Sequence, residues 1–177
     1  CEKFVIKPAC QGSSVGIEII SGVDKTVEAA INAVQKYGKC LIEEFVKGRE
    51  ITVGILNGKA LPIIEIVPKA AFYDYHAKYQ DDNTQYLFDT IENPDLVKKI
   101  QRIAVDCYNC LGCRHQSRVD FILSDSKPYV LEINTLPGFT SHSLLPMAAR
   151  KAGISPADLC LEIIKAAIKE KKILSNI

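Results

Sequence analysis

Two segments in the C-terminal third carry the densest set of residues able to do chemistry: Arg118-Val119-Asp120-Phe121-Ile122 and Tyr129-Val130-Leu131-Glu132-Ile133-Asn134. Side chains alternate across a strand, so the pattern predicts Arg118, Asp120, Glu132 and Asn134 on one face, with Val119, Phe121, Leu131 and Ile133 on the other. If Asp125, Ser126 and Lys127 form the loop, Asp120 falls opposite Glu132 and Arg118 opposite Asn134. Opposed carboxylates repel unless something cationic lies between them. Oxygen donors from Asp, Glu and Asn suit a hard ion such as Mg²⁺, which takes a few carboxylates together with nucleotide phosphates. The same alternation also fits a solvated hairpin face on which Arg118 pairs with the acids, and alternation alone leaves both readings open.

One lysine ends a strand where phosphate could be held, and a second lies in a long loop, where a lysine is usually just solvated. Lys7 ends a strand-like run just before Gly12-Ser13-Ser14, an arrangement in which backbone N–H groups and one ammonium can bind phosphate oxygens. Glycine-serine loops are mostly ordinary turns, and this one matches no P-loop pattern. Lys78 lies in residues 68–93, a stretch with no sustained period and long enough to be a functional loop. Cys107, Cys110 and Cys113 form C-x2-C-x2-C with His115 close behind, which invites a zinc or iron-sulfur reading. The first two fall at helical spacing and free Cys behaves as a small hydrophobe, so the buried face of a helix is preferred. His115 reads as a surface turn residue rather than a base, and neither His76 nor His142 is required by the chemistry.

These groups need a scaffold, and the pattern supplies one. Residues 3–7 and 16–20 read as short strands around the Gly-Ser-Ser loop. Asp24 is the expected cap of a helix with Val27, Ala30, Ile31 and Val34 on its apolar face, closed by Tyr37-Gly38. Strand Cys40–Phe45 follows, then Ile51–Leu56 and Ala60–Val67 joined at Asn57-Gly58, a strong hairpin signal. A second helix over 94–110 begins at Pro94 and carries Leu96, Ile100, Ile103, Ala104 and Cys107 on one face. Strands 117–124 and 128–134 form the hairpin described first, and Ser155-Pro156 starts a final helix with Ser as cap. Hairpins interleaved with helices predict an α+β fold of antiparallel sheets packed by helices.

Composition sets bounds. At 177 residues and 47% hydrophobic content the chain can fill a core. A net charge of +1 with scattered Lys and Arg gives no footprint for nucleic acid or an anionic membrane. Neither a secretory signal nor a run of about 20 apolar residues is apparent, and seven cysteines fit free thiols better than a disulfide framework, so a soluble cytoplasmic protein is expected. The opening at Cys1, running at once into a strand, reads as part of a longer protein.

The motifs together resemble those of the D-alanine:D-alanine ligases, in the same order. They are Val5-Ile6-Lys7-Pro8 with Gly12-Ser13-Ser14-Val15-Gly16, Glu43-Glu44-Phe45 before Gly48-Arg49-Glu50, and Phe72-Tyr73-Asp74-Tyr75 with Ala77-Lys78-Tyr79. Arg118-Val119-Asp120-Phe121, Leu131-Glu132-Ile133-Asn134-Thr135-Leu136-Pro137-Gly138 and Thr140-Ser141-His142-Ser143-Leu144-Leu145-Pro146 continue the match. The resemblance implies an ATP-grasp fold, with residues 1–47 the remainder of a central ATP-binding subdomain and 48–177 the C-terminal subdomain.

It also implies roles. Lys7 and Lys78 would contact ATP phosphates, Glu43 and the backbone near Val46 the adenine, and Glu50 the ribose hydroxyls. Asp120, Glu132 and Asn134 would hold two Mg²⁺ (or Mn²⁺) ions. Arg118 and the Gly138 N–H would form an oxyanion hole, and Ser143 and Leu144, opening a short helix, would receive the carboxylate of the second D-alanine. Ser13 and Tyr79 would close a loop over the site, and Tyr79 favours an amine nucleophile over D-lactate. The implied activity is synthesis of D-alanyl-D-alanine for peptidoglycan through an acyl phosphate. Its partners are small molecules, D-alanine and ATP, with an N-terminal domain of the same protein and room for a homodimer. The chain alone is expected to show little or no activity.

Arg114-His115-Gln116-Ser117 and Leu87-Phe88-Asp89-Thr90 depart from the family pattern beside motifs rather than in them. A D-alanine:D-lactate or other ATP-grasp amino-acid ligase, and a non-catalytic ATP-binding module, are the alternatives. The latter would be marked by loss of Arg118, Asp120, Glu132 or Asn134, and all four are present.

Overall fold

A computed structural model of the chain describes residues 2–68 and 84–174, with side chains described as far as residue 170. The chain divides into two compact units, the first Cys1–Lys47 with Pro68–Gln85 and the second Gly48–Val67 with Tyr86–Ile177.

The first unit holds an antiparallel sheet in the order β2-β1-β3, from β1 (Lys3–Pro8), β2 (Glu18–Ser21) and β3 (Cys40–Glu44). Helix α1 (Val23–Tyr37) packs Ala30 and Ala33 against Ile6. Its cap differs from expectation: Gly22, at φ 91°, stands at the N-cap, and Asp24 lies inside the first turn, where its charge still complements the helix dipole. The apolar face differs too. Thr26, Ala30 and Ala33 are buried, whereas Val27, Ile31 and Val34 are about half exposed. Small residues let the helix lie close on the sheet, which moves the buried stripe off the larger side chains.

The second unit is a five-stranded antiparallel sheet ordered β6-β5-β4-β7-β8, from β4 (Arg49–Leu56), β5 (Lys59–Val67), β6 (Gln85–Phe88), β7 (Gln116–Ser124) and β8 (Lys127–Asn134). Asn57 and Gly58 both take positive φ in the β4–β5 turn, the backbone that two-residue hairpins require. One face packs Ile51, Val53, Ile55, Val119 and Phe121 against Ile100, Ala104 and Tyr108 of α2 (Pro94–Cys110). Asn93 caps α2, accepting from the N–H groups of Asp95 and Leu96, with Pro94 at the first helical position. Helices α3 (Leu144–Lys151) and α4 (Pro156–Leu174) build a second cluster in which Leu145, Ala148, Ala149 and Leu159 meet Leu61 and Ile64. Ser155 caps α4: its hydroxyl accepts from Asp158 N–H at 3.1 Å and donates to the Asp158 carboxylate at 2.6 Å.

Four expectations are revised. Strand β6 lies within 68–93, read as irregular; four residues at a sheet edge are too few to show a period. The β7–β8 turn is the two-residue Asp125-Ser126, both at positive φ, and Lys127 already belongs to β8. A bulge follows Asp120, so Leu131 is passed over in the pairing and stays partly exposed instead of joining Val119 and Phe121 in the core. Among the thiols, Cys107 and Cys113 pack on the α2 core while Cys110 is exposed, so the C-x2-C spacing in α2 does not mark one buried face. No helix among the described residues is long and apolar enough to cross a membrane.

Candidate functional site

The register of the second sheet builds the site. Arg118 pairs with Asn134 and Asp120 with Glu132 across β7 and β8, while Thr52 pairs with Asp120 and Gly54 with Arg118 across β4 and β7. Directly paired residues share a face, so Glu50, Thr52, Arg118, Asp120, Glu132 and Asn134 all point away from α2. The Arg118 guanidinium grips Asp120 in a fork, Nε to Oδ1 at 2.9 Å and Nη2 to Oδ2 at 2.8 Å. Both are well buried, at 18% and 8% side-chain exposure, which makes this pair a fixed element and not a solvated surface contact. Glu132 is exposed and Asn134 half-buried; the Asn134 amide oxygen accepts from Leu136 N–H at 3.0 Å and turns the chain out of β8. Beside them the Tyr86 hydroxyl is pushed above its ordinary pKa by burial and then by the Glu50 carboxylate, with Arg118 acting in the opposite sense.

The donor set fits a magnesium-like ion. Among the described residues no three or more His, Cys, Asp and Glu side chains cluster as an all-protein metal cage. Two carboxylates and an amide on one face are instead what Mg²⁺ uses when phosphate and water complete its shell.

The loop after β8 is folded on itself. A Cβ on Gly138 would come within 2.7 Å of Ser143 Oγ, so only glycine admits this approach. The Ser143 hydroxyl accepts from Thr140 N–H at 3.0 Å and lies 2.9 Å from Thr140 Oγ1. Ser143 is therefore the N-cap of α3 with no side-chain cap bond, and Leu144 is the first helical residue. Gly54 sets where this helix lies: a Cβ there would stand 2.8 Å from Leu145 Cδ1 and 3.2 Å from Leu61 Cδ1. Since Gly54 also registers with Arg118, the missing side chain lets the first turn of α3 settle on the sheet beside the arginine.

In the first unit Lys7 and Glu43 lie on the sheet face opposite α1 and form an ion pair of 2.8 Å. The Gly-Ser-Ser loop takes consecutive positive φ at Ser13 (55°) and Ser14 (60°), a strained backbone for residues bearing a Cβ and one that turns successive N–H groups to one side. Val46 is half-buried in the segment after β3. Lys78, Tyr79 and His76 lie outside the described residues. His142 is exposed, whereas His115 is mostly buried, with Nε2 3.1 Å from Glu170 of α4. That contact ties the residue just before β7 to α4 and gives His115 a structural partner.

Sequence reading missed Thr52, Gly54 and Tyr86. A buried threonine or glycine in a strand leaves no periodic mark, but Thr52 and Gly54 stand directly across from Asp120 and Arg118, which were found, while Tyr86 on the edge strand is linked to Glu50 and Arg118 only by their charge.

Solved structures with this fold set the class. The D-alanine:D-alanine ligase of Bacillus anthracis complexed with ATP aligns over 96% of this chain and 54% of its own, with TM-score 0.80 and 36% identity. The D-alanine-D-alanine ligase of Coxiella burnetii aligns over 98% of this chain and 47% of its own, with TM-score 0.83 and 26% identity. The chain thus has the ATP-grasp fold, an α+β arrangement of antiparallel sheets and helices. The family described as "D-ala D-ala ligase C-terminus" matches residues 3–165, and the chain belongs to it. Among relatives, the D-alanine:D-alanine ligase of Methylacidiphilum infernorum is 46% identical over 163 residues, covering 92% of this chain and 54% of that protein. That of a Janthinobacterium strain is 42% identical over 171 residues, covering 93% and 53%. The chain spans about half the length of the curated relatives it matches.

Proposed function

We propose that the chain is the catalytic C-terminal portion of a cytoplasmic ATP-dependent ligase that joins two D-alanines for peptidoglycan. The observation that carries this is the shared face of Arg118, Asp120, Glu132 and Asn134, buried at one end and open at the other. In this reading residues 1–47 close a central ATP-binding subdomain and 48–177 form the C-terminal one. An N-terminal domain supplies the rest of the first substrate's site.

Lys7 and Lys78 neutralise phosphate charge, Glu43 and the Val46 backbone hold adenine, and Glu50 accepts from the ribose hydroxyls. Asp120, Glu132 and Asn134 would hold two Mg²⁺ or Mn²⁺ ions, which would supply positive charge to offset that of the transferring phosphoryl group. One D-alanine carboxylate attacks the γ-phosphorus to give an acyl phosphate and ADP. The amine of the second D-alanine then attacks the acyl carbon, and phosphate leaves with the bonding pair as the amine loses its proton. Arg118 and the Gly138 N–H stabilise the oxyanion formed in that attack. The second carboxylate sits at the uncapped start of α3, where the N–H groups near Ser143 and Leu144 and the helix dipole favour an anion. Ser13 and Tyr79 close the loop that keeps water from the acyl phosphate, and Tyr79 selects an amine over D-lactate.

Phosphate release from ATP by the full-length protein tests the reading. Release that requires both D-alanine and Mg²⁺, with D-lactate unable to serve as second substrate, is expected. Release unaffected by D-alanine would remove the assignment.

A further inference from the structure

We infer that Thr52 is a positioning residue that holds the plane of the Asp120 carboxylate so that one oxygen faces a divalent cation, an inference that rests on the reading of Asp120 as a metal ligand. Thr52 is 1% exposed and registers directly with Asp120 across β4 and β7. Its hydroxyl donates to Asp120 Oδ1 at 2.6 Å, the length of a charge-assisted O–H···O⁻ bond. The Val119 carbonyl lies 3.3 Å from the same hydroxyl, but one proton serves one strong bond, and the shorter contact to a charged acceptor prevails.

The carboxylate can then be accounted for atom by atom. Oδ1 accepts from both Thr52 Oγ1 and Arg118 Nε, which uses its two lone pairs. Among the described residues Oδ2 accepts only from Arg118 Nη2, so one lone pair remains on Oδ2. The cation therefore binds Asp120 through Oδ2, and Thr52, together with the Arg118 fork, holds the carboxylate plane in which one oxygen is saturated and the other keeps a lone pair for the cation. A β-branched side chain suits the task, because its χ1 is stiff and a buried hydroxyl without a partner is costly. Valine has nearly the same shape and would fill the site with no polar group to satisfy. The hydroxyl at Thr52 is thus the part of the side chain that requires a reason.

Partners of metal-binding carboxylates typically contribute about 10–100-fold to metal affinity. The test is Mn²⁺ binding to the full-length protein with ADP present, followed by electron paramagnetic resonance, for wild type, Thr52→Val and Thr52→Ser. Thr52→Val is expected to weaken Mn²⁺ binding by about 10–100-fold, with Thr52→Ser recovering most of the loss because it keeps the hydroxyl. If Thr52→Val does not fold, Thr52→Ala removes the same hydroxyl and carries the same expectation. A hydroxyl-free variant that melts lower but binds Mn²⁺ like wild type assigns Thr52 to packing alone and overturns the inference. Failure of wild type itself to bind Mn²⁺ overturns the metal reading on which it stands, a result distinguishable from the first.

Discussion

A single carbon added to Gly54 probes how the sheet positions α3, the helix proposed to receive substrate. The Cβ of Gly54→Ala would lie 2.8 Å from Leu145 Cδ1, and carbon atoms pack best at about 3.5–4.0 Å, so something must yield by about 0.7 Å. Leu145 is fully buried and packed against Ile64, Leu61 and Leu159, which leaves it little room to rotate. Overpacking of this kind costs about 1–3 kcal/mol, offset by about 0.4–1 kcal/mol because alanine restricts the unfolded chain. A net loss of about 1–2 kcal/mol follows, or about 2–8 °C in melting temperature for a protein of about 150–250 residues and less for a longer one. The cause is separable from a general defect by a double-mutant cycle. Leu145→Ala alone should cost about 2–5 kcal/mol, but it also removes the atom that Gly54→Ala strikes. The double variant should therefore be more stable than the sum of the two by about 1 kcal/mol. In the full-length protein the same shift moves the start of α3 relative to Arg118, so the KM for the second D-alanine should rise more than that for ATP. Urea denaturation and initial-rate kinetics read both quantities. Additivity within about 0.5 kcal/mol, together with an unchanged D-alanine KM, would refute the close-approach argument.

Three further outcomes follow from other parts of the structure. Lys7→Ala should raise the KM for ATP several-fold while leaving the melting temperature nearly unchanged, because the Lys7–Glu43 pair is partly open to water and such pairs contribute about 0–1 kcal/mol. The Glu65 carboxyl is held below its ordinary pKa by the hydrogen-bonded Arg49 guanidinium, so its contribution to stability is present above the unfolded value of about 4.3 and is lost as pH falls through the folded value. Urea midpoints from pH 6 to pH 3 should therefore fall less steeply for Glu65→Gln than for wild type. Burial, then Asp106 and Cys110, push the Cys107 thiol up, so iodoacetamide followed by mass spectrometry should label exposed Cys110 well before Cys107.

The parts legible in the sequence were those that repeat or that bind backbone. Alternation of Arg118, Asp120, Glu132 and Asn134 fixed their register, because a slip by one residue would have put Val119 and Phe121 in water. Asn57-Gly58, Pro94 and Ser155-Pro156 marked a turn and two helix starts through specific backbone chemistry. What stayed hidden depended on contacts between elements. The inward arc of α1 was misjudged because its apolar residues span more than one face, and only the sheet decides that the small Ala30 and Ala33 lie inward. The Leu131 bulge, Thr52 under Asp120 and Gly54 under Leu145 are pairwise features with no period of their own. The backbone strain at Ser13 and Ser14 was equally silent, since the residue type does not announce positive φ.

The central claim is that a sheet face presents Asp120, Glu132 and Asn134 to the same cations. Anomalous scattering from crystals of the full-length protein grown with Mn²⁺ and a non-hydrolysable ATP analogue measures this directly. The account predicts manganese peaks within coordination distance of all three side chains, with Asp120 bound through the oxygen that does not meet Thr52. Manganese at other residues, or Glu132 and Asn134 turned from the face that carries Asp120, would contradict it.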